Sequence, residues 1–122
     1  MRYIAALLVA LVALEHAGFL ALEMFFWTSP TALQAFNMTA AFAESSKVLA
    51  ANQGLYNGFL SAGLIWGLIS RPHGYAVKVF FLSCVIVAGV FGALTAKASI
   101  LYVQALPAAV ALLAVWVANR KQ

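Results

Sequence analysis

Ala51-Asn52-Gln53-Gly54-Leu55-Tyr56-Asn57-Gly58 sets three carboxamides and a phenol inside a run otherwise apolar enough to cross a bilayer. How these side chains are satisfied decides how the chain folds. An amide in hydrocarbon that lacks a hydrogen-bond partner forfeits several kcal/mol of hydration, so the stretch has to face other helices. Partners of the right chemistry occur in the first apolar segment, as Glu15, His16 and Glu23.

Working outward, the composition is that of a membrane protein. Of 122 residues, 66% are hydrophobic and 8% charged, against about 25% charged in a soluble domain. A single compact membrane unit spanning 1–122 is expected. The net charge of +4 is not a nucleic-acid signal, because the basic residues stand singly at the ends of apolar segments rather than clustered among aromatics. Cys84 is the sole cysteine, which excludes an intrachain disulfide and a cysteine-based zinc site. Met1-Arg2 followed by an apolar run looks like a signal peptide, but the run reaches Trp27 and contains Glu15 and Glu23. A signal core covers about 7–15 residues, so a retained first helix is expected.

Four segments have the roughly 20 residues needed for a crossing: 3–28, 40–70, 75–96 and 99–118. The fold class is therefore all-α, a bundle of four transmembrane helices. Thr28-Ser29-Pro30 ends the first, since a residue before proline is pushed out of the helical region. Ser29 and Pro30 then suit the cap and first position of a short surface helix. Thr39 suits the cap of the second span, whose first turns, with Glu44 and Lys47, should protrude. Arg71-Pro72-His73-Gly74 and Lys97-Ala98-Ser99 are the remaining links. Four crossings put Arg2, Arg71, Lys78, Arg120 and Lys121 on one side, with Lys47 and Lys97 on the other. That bias assigns both termini to the cytoplasm. Trp27, Phe42 and Tyr102 would then form the outer aromatic belt. Small residues predict close helix contacts at Gly54-x-x-x-Gly58, Gly63-x-x-x-Gly67, Gly89-x-x-x-Ala93 and a seam of Ala6, Ala10, Ala13 and Ala17.

In this topology Glu15 and His16 lie near the midplane, with Glu23 about 12 Å further out at 1.5 Å per residue. Asn52 and Gln53 fall in the outer half, Tyr56 and Asn57 near the middle, and Gln104 near the outer start of the fourth span. A polar crevice opening outward is expected, above an inner half that reads as almost wholly apolar. At 100° per residue His16 and Glu23 share a face, while Glu15 points 80–100° away. Gln53 with Asn57 and Asn52 with Tyr56 are i,i+4 neighbours, so the amides spread over a broad face.

Each of these residues also has a plainer role. Ionisable groups inside a membrane mark functional sites by default, at a cost of ~2.5–3.5 kcal/mol for an acidic residue at a helix centre. Yet Glu23 could reach Lys97, His16 could be a hydrogen-bonded core imidazole, and Asn52, Gln53 and Asn57 could join helices at ~0.6–2 kcal/mol per bond. Tyr56 is more often packing than chemistry, and Gln104 could satisfy backbone loosened by Pro107.

Glu23-Met24-Phe25-Phe26-Trp27-Thr28, Phe42-Ala43-Glu44, the run from Lys47 to Phe59 and Val103-Gln104-Ala105-Leu106-Pro107 resemble domain of unknown function 1304, a family of small bacterial membrane proteins. The resemblance covers nearly the whole chain. It implies a four-helix integral membrane protein with no assigned activity. An uncharged Ser29-Pro30-Thr31 loop stands where a more basic one is associated with that family.

Three functions fit these residues. The first is a binding or transport protein for a small polar or cationic ligand, coupled to protons through Glu15, His16 and Glu23; its cofactors are left open, and a homodimer is compatible with it. The second is a structural or accessory subunit packing through its glycine faces. The third is a membrane enzyme using His16, Glu23 and Glu15 for metal or acid–base chemistry.

Overall fold

A computed structural model of the chain describes residues 1–120. Among these residues the structure is all-helical: α1 (Arg2–Phe25), α2 (Pro30–Phe36), α3 (Ala40–Ile69), α4 (Gly74–Thr95), a π-helical turn (Leu101–Ala105) and α5 (Leu106–Arg120). Lys121, counted above among the cytoplasmic charges, lies outside the described residues. Three stretches are long and apolar enough to cross a membrane: Arg2–Phe25, Gly74–Thr95 and Leu101–Arg120. The 30-residue α3 has the length, but Glu44, Lys47, Asn52, Gln53 and Asn57 make it less apolar than these. Large apolar side chains stand outward, with Leu94 82% and Phe91 66% exposed. So much outward apolar surface suits lipid rather than water.

The links follow the local chemistry of the sequence. Ser29 caps α2, its Oγ accepting from Ala32 N at 3.2 Å, with Pro30 in the first turn. Asn37 ends α2 in the left-handed region at φ 51°, a conformation that asparagine tolerates better than most residues. Thr39 Oγ1 accepts from Phe42 N at 3.2 Å as α3 begins. α1 stops at Phe25 rather than Thr28, because Ser29 turns back and bonds Phe26 O through both its N–H and its hydroxyl. Pro107 has no N–H, and just before it the helix widens into a π-turn that closes with Leu106 N–H donating to Leu101 O.

The contacts define two compact units: Met1–Leu14 with the chain from Leu60 onward, and Glu15–Phe59. The larger unit has an apolar core that includes Val9, Val12, Leu64, Leu82, Val85, Ala108, Ala111 and Val115. Glycines bring its helices together. At Gly89 a Cβ would lie 2.8 Å from both Ala105 N and Ala105 Cβ, at Gly67 2.7 Å from Lys78 Cγ, and at Gly63 against the Phe81 ring. Ser61 Oγ donates to Ala13 O at 2.8 Å. The expected alanine seam is only in part the buried face of α1: Ala13 is buried and Ala17 half-buried. Ala6 and Ala10 are exposed, whereas Ala5, Val9, Val12 and Ala13 are buried. The helix is turned by about one residue from that expectation, because 9, 12, 16 and 23 form a single stripe that also covers His16 and Glu23.

Candidate functional site

The smaller unit carries the carboxyl groups of the chain: Glu15, Glu23 and Glu44. Within it α1 and α3 run antiparallel, Leu20 opposite Gly58 and Met24 opposite Gly54. Gly54 controls the approach. A Cβ there would lie 2.8 Å from Met24 Cγ, 2.9 Å from Glu23 Cβ and 3.2 Å from Met24 N, so only glycine admits α1 this closely. Asn57 lies three residues further along the same face of α3. Its Nδ2 donates to Glu23 Oε2 at 2.7 Å, and the pair is buried, 7% and 8% exposed.

The other residues picked out in the sequence divide around this bond. His16 is fully buried, with its ring edge-on to Phe19 at 5.8 Å between centroids; it also makes a further interaction of its own. Glu15 is half-buried. Asn52, Gln53 and Tyr56 are exposed on α3 and do not join the Glu23–Asn57 pair; Tyr56 stacks edge-on with Phe59 at 5.9 Å. Gln104 belongs to the larger unit, half-buried within the π-turn and already partnered. Among the described residues no three His, Cys, Asp or Glu side chains gather as metal ligands, so Glu15, His16 and Glu23 do not form a metal set. Trp27 ties the elements of this unit together: its Nε1 donates to Ser46 Oγ at 3.0 Å and its ring packs on Phe36 at 4.9 Å.

Charge is sparse in this unit. Lys47 is its one Lys or Arg, and it forms an exposed ion pair with Glu44. Glu23 is therefore held by a neutral amide rather than by a fixed cation. What such an arrangement can do is exchange: a buried carboxyl group with a neutral donor can take up or release a proton or a cation without breaking an ion pair.

Two features do not show in the residue types. Gly54 reads from sequence as a packing residue, and in the structure it sets the distance between Glu23 and Asn57. The end of the bundle read as almost wholly apolar holds a cavity of about 570 Å³ in the larger unit, lined in part by Arg2, Ser70, Arg71, Tyr75, Lys78 and Asn119. The only sequence signal for it was the density of Lys and Arg at those helix ends.

The chain is similar to the uncharacterized protein YpaA of Lactococcus lactis subsp. lactis (strain IL1403), at 33% identity over 106 residues, covering 85% of this chain and 89% of the relative. No solved structure matches. The family described as protein of unknown function (DUF1304) matches residues 10–116, nearly the whole length over which the helices and the Glu23–Asn57 pair extend, and the chain belongs to that family.

Proposed function

We propose that this is a four-span protein of a bacterial plasma membrane in which Glu23, positioned by Asn57, takes up a small polar or cationic ligand in exchange for a proton. Three stretches with the length and hydropathy of spans support the membrane setting. The 30 residues of α3 supply length for a fourth crossing, and the Lys and Arg count favours cytoplasmic termini. The observation that carries the functional reading is the buried Glu23 carboxyl, bonded by a neutral amide in a unit whose one Lys is taken by Glu44. Away from water, a carboxylate without a fixed positive partner is neutralised by whatever it binds, a proton or a mobile cation. His16 and Glu15, on the N-terminal side of Glu23 in α1, are the ionisable groups that would pass the proton on.

The test is proton release from unbuffered, detergent-solubilised protein on adding tetraphenylphosphonium. About one proton per bound cation is expected from the native chain and none from Glu23→Gln at unchanged helix content. Equal release from the variant ends this reading. The exposed amides Asn52 and Gln53 favour a second reading, a structural or accessory subunit that packs against another membrane protein. In that case the native chain releases no proton, and Glu23→Gln alters stability alone.

A further inference from the structure

We propose that the cavity bordered by Arg2, Arg71 and Lys78 binds a phosphate group, either that of an anionic phospholipid headgroup or a soluble phosphate. Lys and Arg at the ends of membrane helices commonly do no more than set orientation. What distinguishes these three is convergence. They come from the start of α1, the α3–α4 turn and the second turn of α4, and they line one cavity of about 570 Å³, within the size range of small-molecule sites. The unit that holds them contains no Asp or Glu, so no acidic side chain of its own neutralises the cluster.

The remaining polar groups on the wall suit the same ligand. Ser70, Tyr75 and Asn119 offer hydroxyl and amide donors beside the cations. Gly74, also on the wall, begins the 22-residue α4, whose cap residue His73 makes no side-chain capping bond. The positive end of that helix therefore adds to the attraction for an anion. Arg2 already has an interaction within the protein, but a guanidinium carries five donors and can serve a ligand as well. Basic pockets between membrane helices take phospholipid headgroups by this combination of charge and donors. The proposal is independent of the exchange at Glu23, and the test below does not depend on which leaflet the cavity faces.

The experiment is native mass spectrometry of the full chain in a neutral detergent. The probes are phosphatidylglycerol, phosphatidylcholine with the same acyl chains, and inorganic phosphate. One phosphatidylglycerol per chain is expected to bind well above phosphatidylcholine. Arg71→Gln should weaken it about fivefold and Arg71→Gln with Lys78→Gln about thirtyfold, while Lys97→Gln, outside the cavity, changes nothing. Displacement of phosphatidylglycerol by inorganic phosphate would identify the ligand as a soluble phosphate; resistance to displacement would identify the lipid. Arg71 is exposed, so if the double variant loses its helical circular dichroism, the single variant and Lys97→Gln still decide. Equal binding of the two lipids, or equal weakening by Arg71→Gln and Lys97→Gln, overturns the proposal.

Discussion

The two units of this chain divide its charge very unevenly. The smaller holds Glu15, Glu23 and Glu44 with Lys47 alone among Lys and Arg; the larger holds Arg2, Arg71, Lys78, Lys97, Arg120 and Lys121 and no acidic residue. They also hold together differently. The larger relies on apolar contact sharpened by glycine, as at Gly89 and Ala105, while the smaller adds side-chain bonds, Glu23 with Asn57 and Trp27 with Ser46. In lipid, apolar packing is favoured only where helices meet more closely than acyl chains can, and polar bonds supply the rest. The difference teaches that neither unit balances its own charged side chains, with three carboxyls against one Lys in the smaller and cations alone in the larger. The exchange proposed at Glu23 and the phosphate proposed at the basic cavity would each supply the missing charge.

The largest effect that would break this comparison concerns packing. Gly89→Leu drives a side chain into Ala105 N and Cβ, atoms fixed by the helix itself. A loss of about 3 kcal/mol is expected, read as an earlier loss of helical circular dichroism during titration with sodium dodecyl sulfate. Gly92→Ala is the control. Its Cβ would meet Ile100 Cγ2 at 3.2 Å, a methyl group that can shift, so under about 1 kcal/mol is expected. Equal losses from the two would mean that close approach is not what holds the larger unit.

Much of this fold can be read from residue types, because helices in lipid announce themselves by length and hydropathy and the links by Ser29-Pro30, Thr39 and Arg71-Pro72. Spacing alone placed His16 and Glu23 on one face, and both are buried. Which amide meets the carboxyl was not legible. Asn52, Gln53 and Asn57 spread over a broad face of one helix, and the choice is made by Gly54, whose missing side chain brings α1 against the part of that face where Asn57 stands. The basic cavity was hidden for another reason. Its residues are far apart in sequence, and each read singly as an orientation signal.

The Glu23–Asn57 bond gives the intermediate effect and sharpens the polar half of the comparison. In a double-mutant cycle with Glu23→Ala and Asn57→Ala, a coupling of about 0.6–1.7 kcal/mol is expected, the range seen for bonds between membrane helices. The same unfolding titration reads it. A cycle that closes at zero would mean that the smaller unit, too, is held by apolar contact alone. Ser61, whose bond runs to a backbone carbonyl of the larger unit, offers no equivalent cycle, since only one of its partners can be removed.

The smallest effect belongs to Lys47→Gln, which removes the one Lys of the acidic unit. Lys47 and Glu44 stand three residues apart on α3 with 55% and 64% of their side chains exposed, so the pair is screened and worth only about 0.3–0.5 kcal/mol. Stability should scarcely change. The sharper reading comes from proton release on addition of tetraphenylphosphonium, which should keep the same pH profile in Lys47→Gln as in the native chain. If Lys47 were the counter-charge of Glu23, removing it would leave the buried carboxylate without its cation and move that profile. An unmoved profile leaves Glu23 dependent on an exchangeable partner, and a displaced one would make the smaller unit electrically self-sufficient after all.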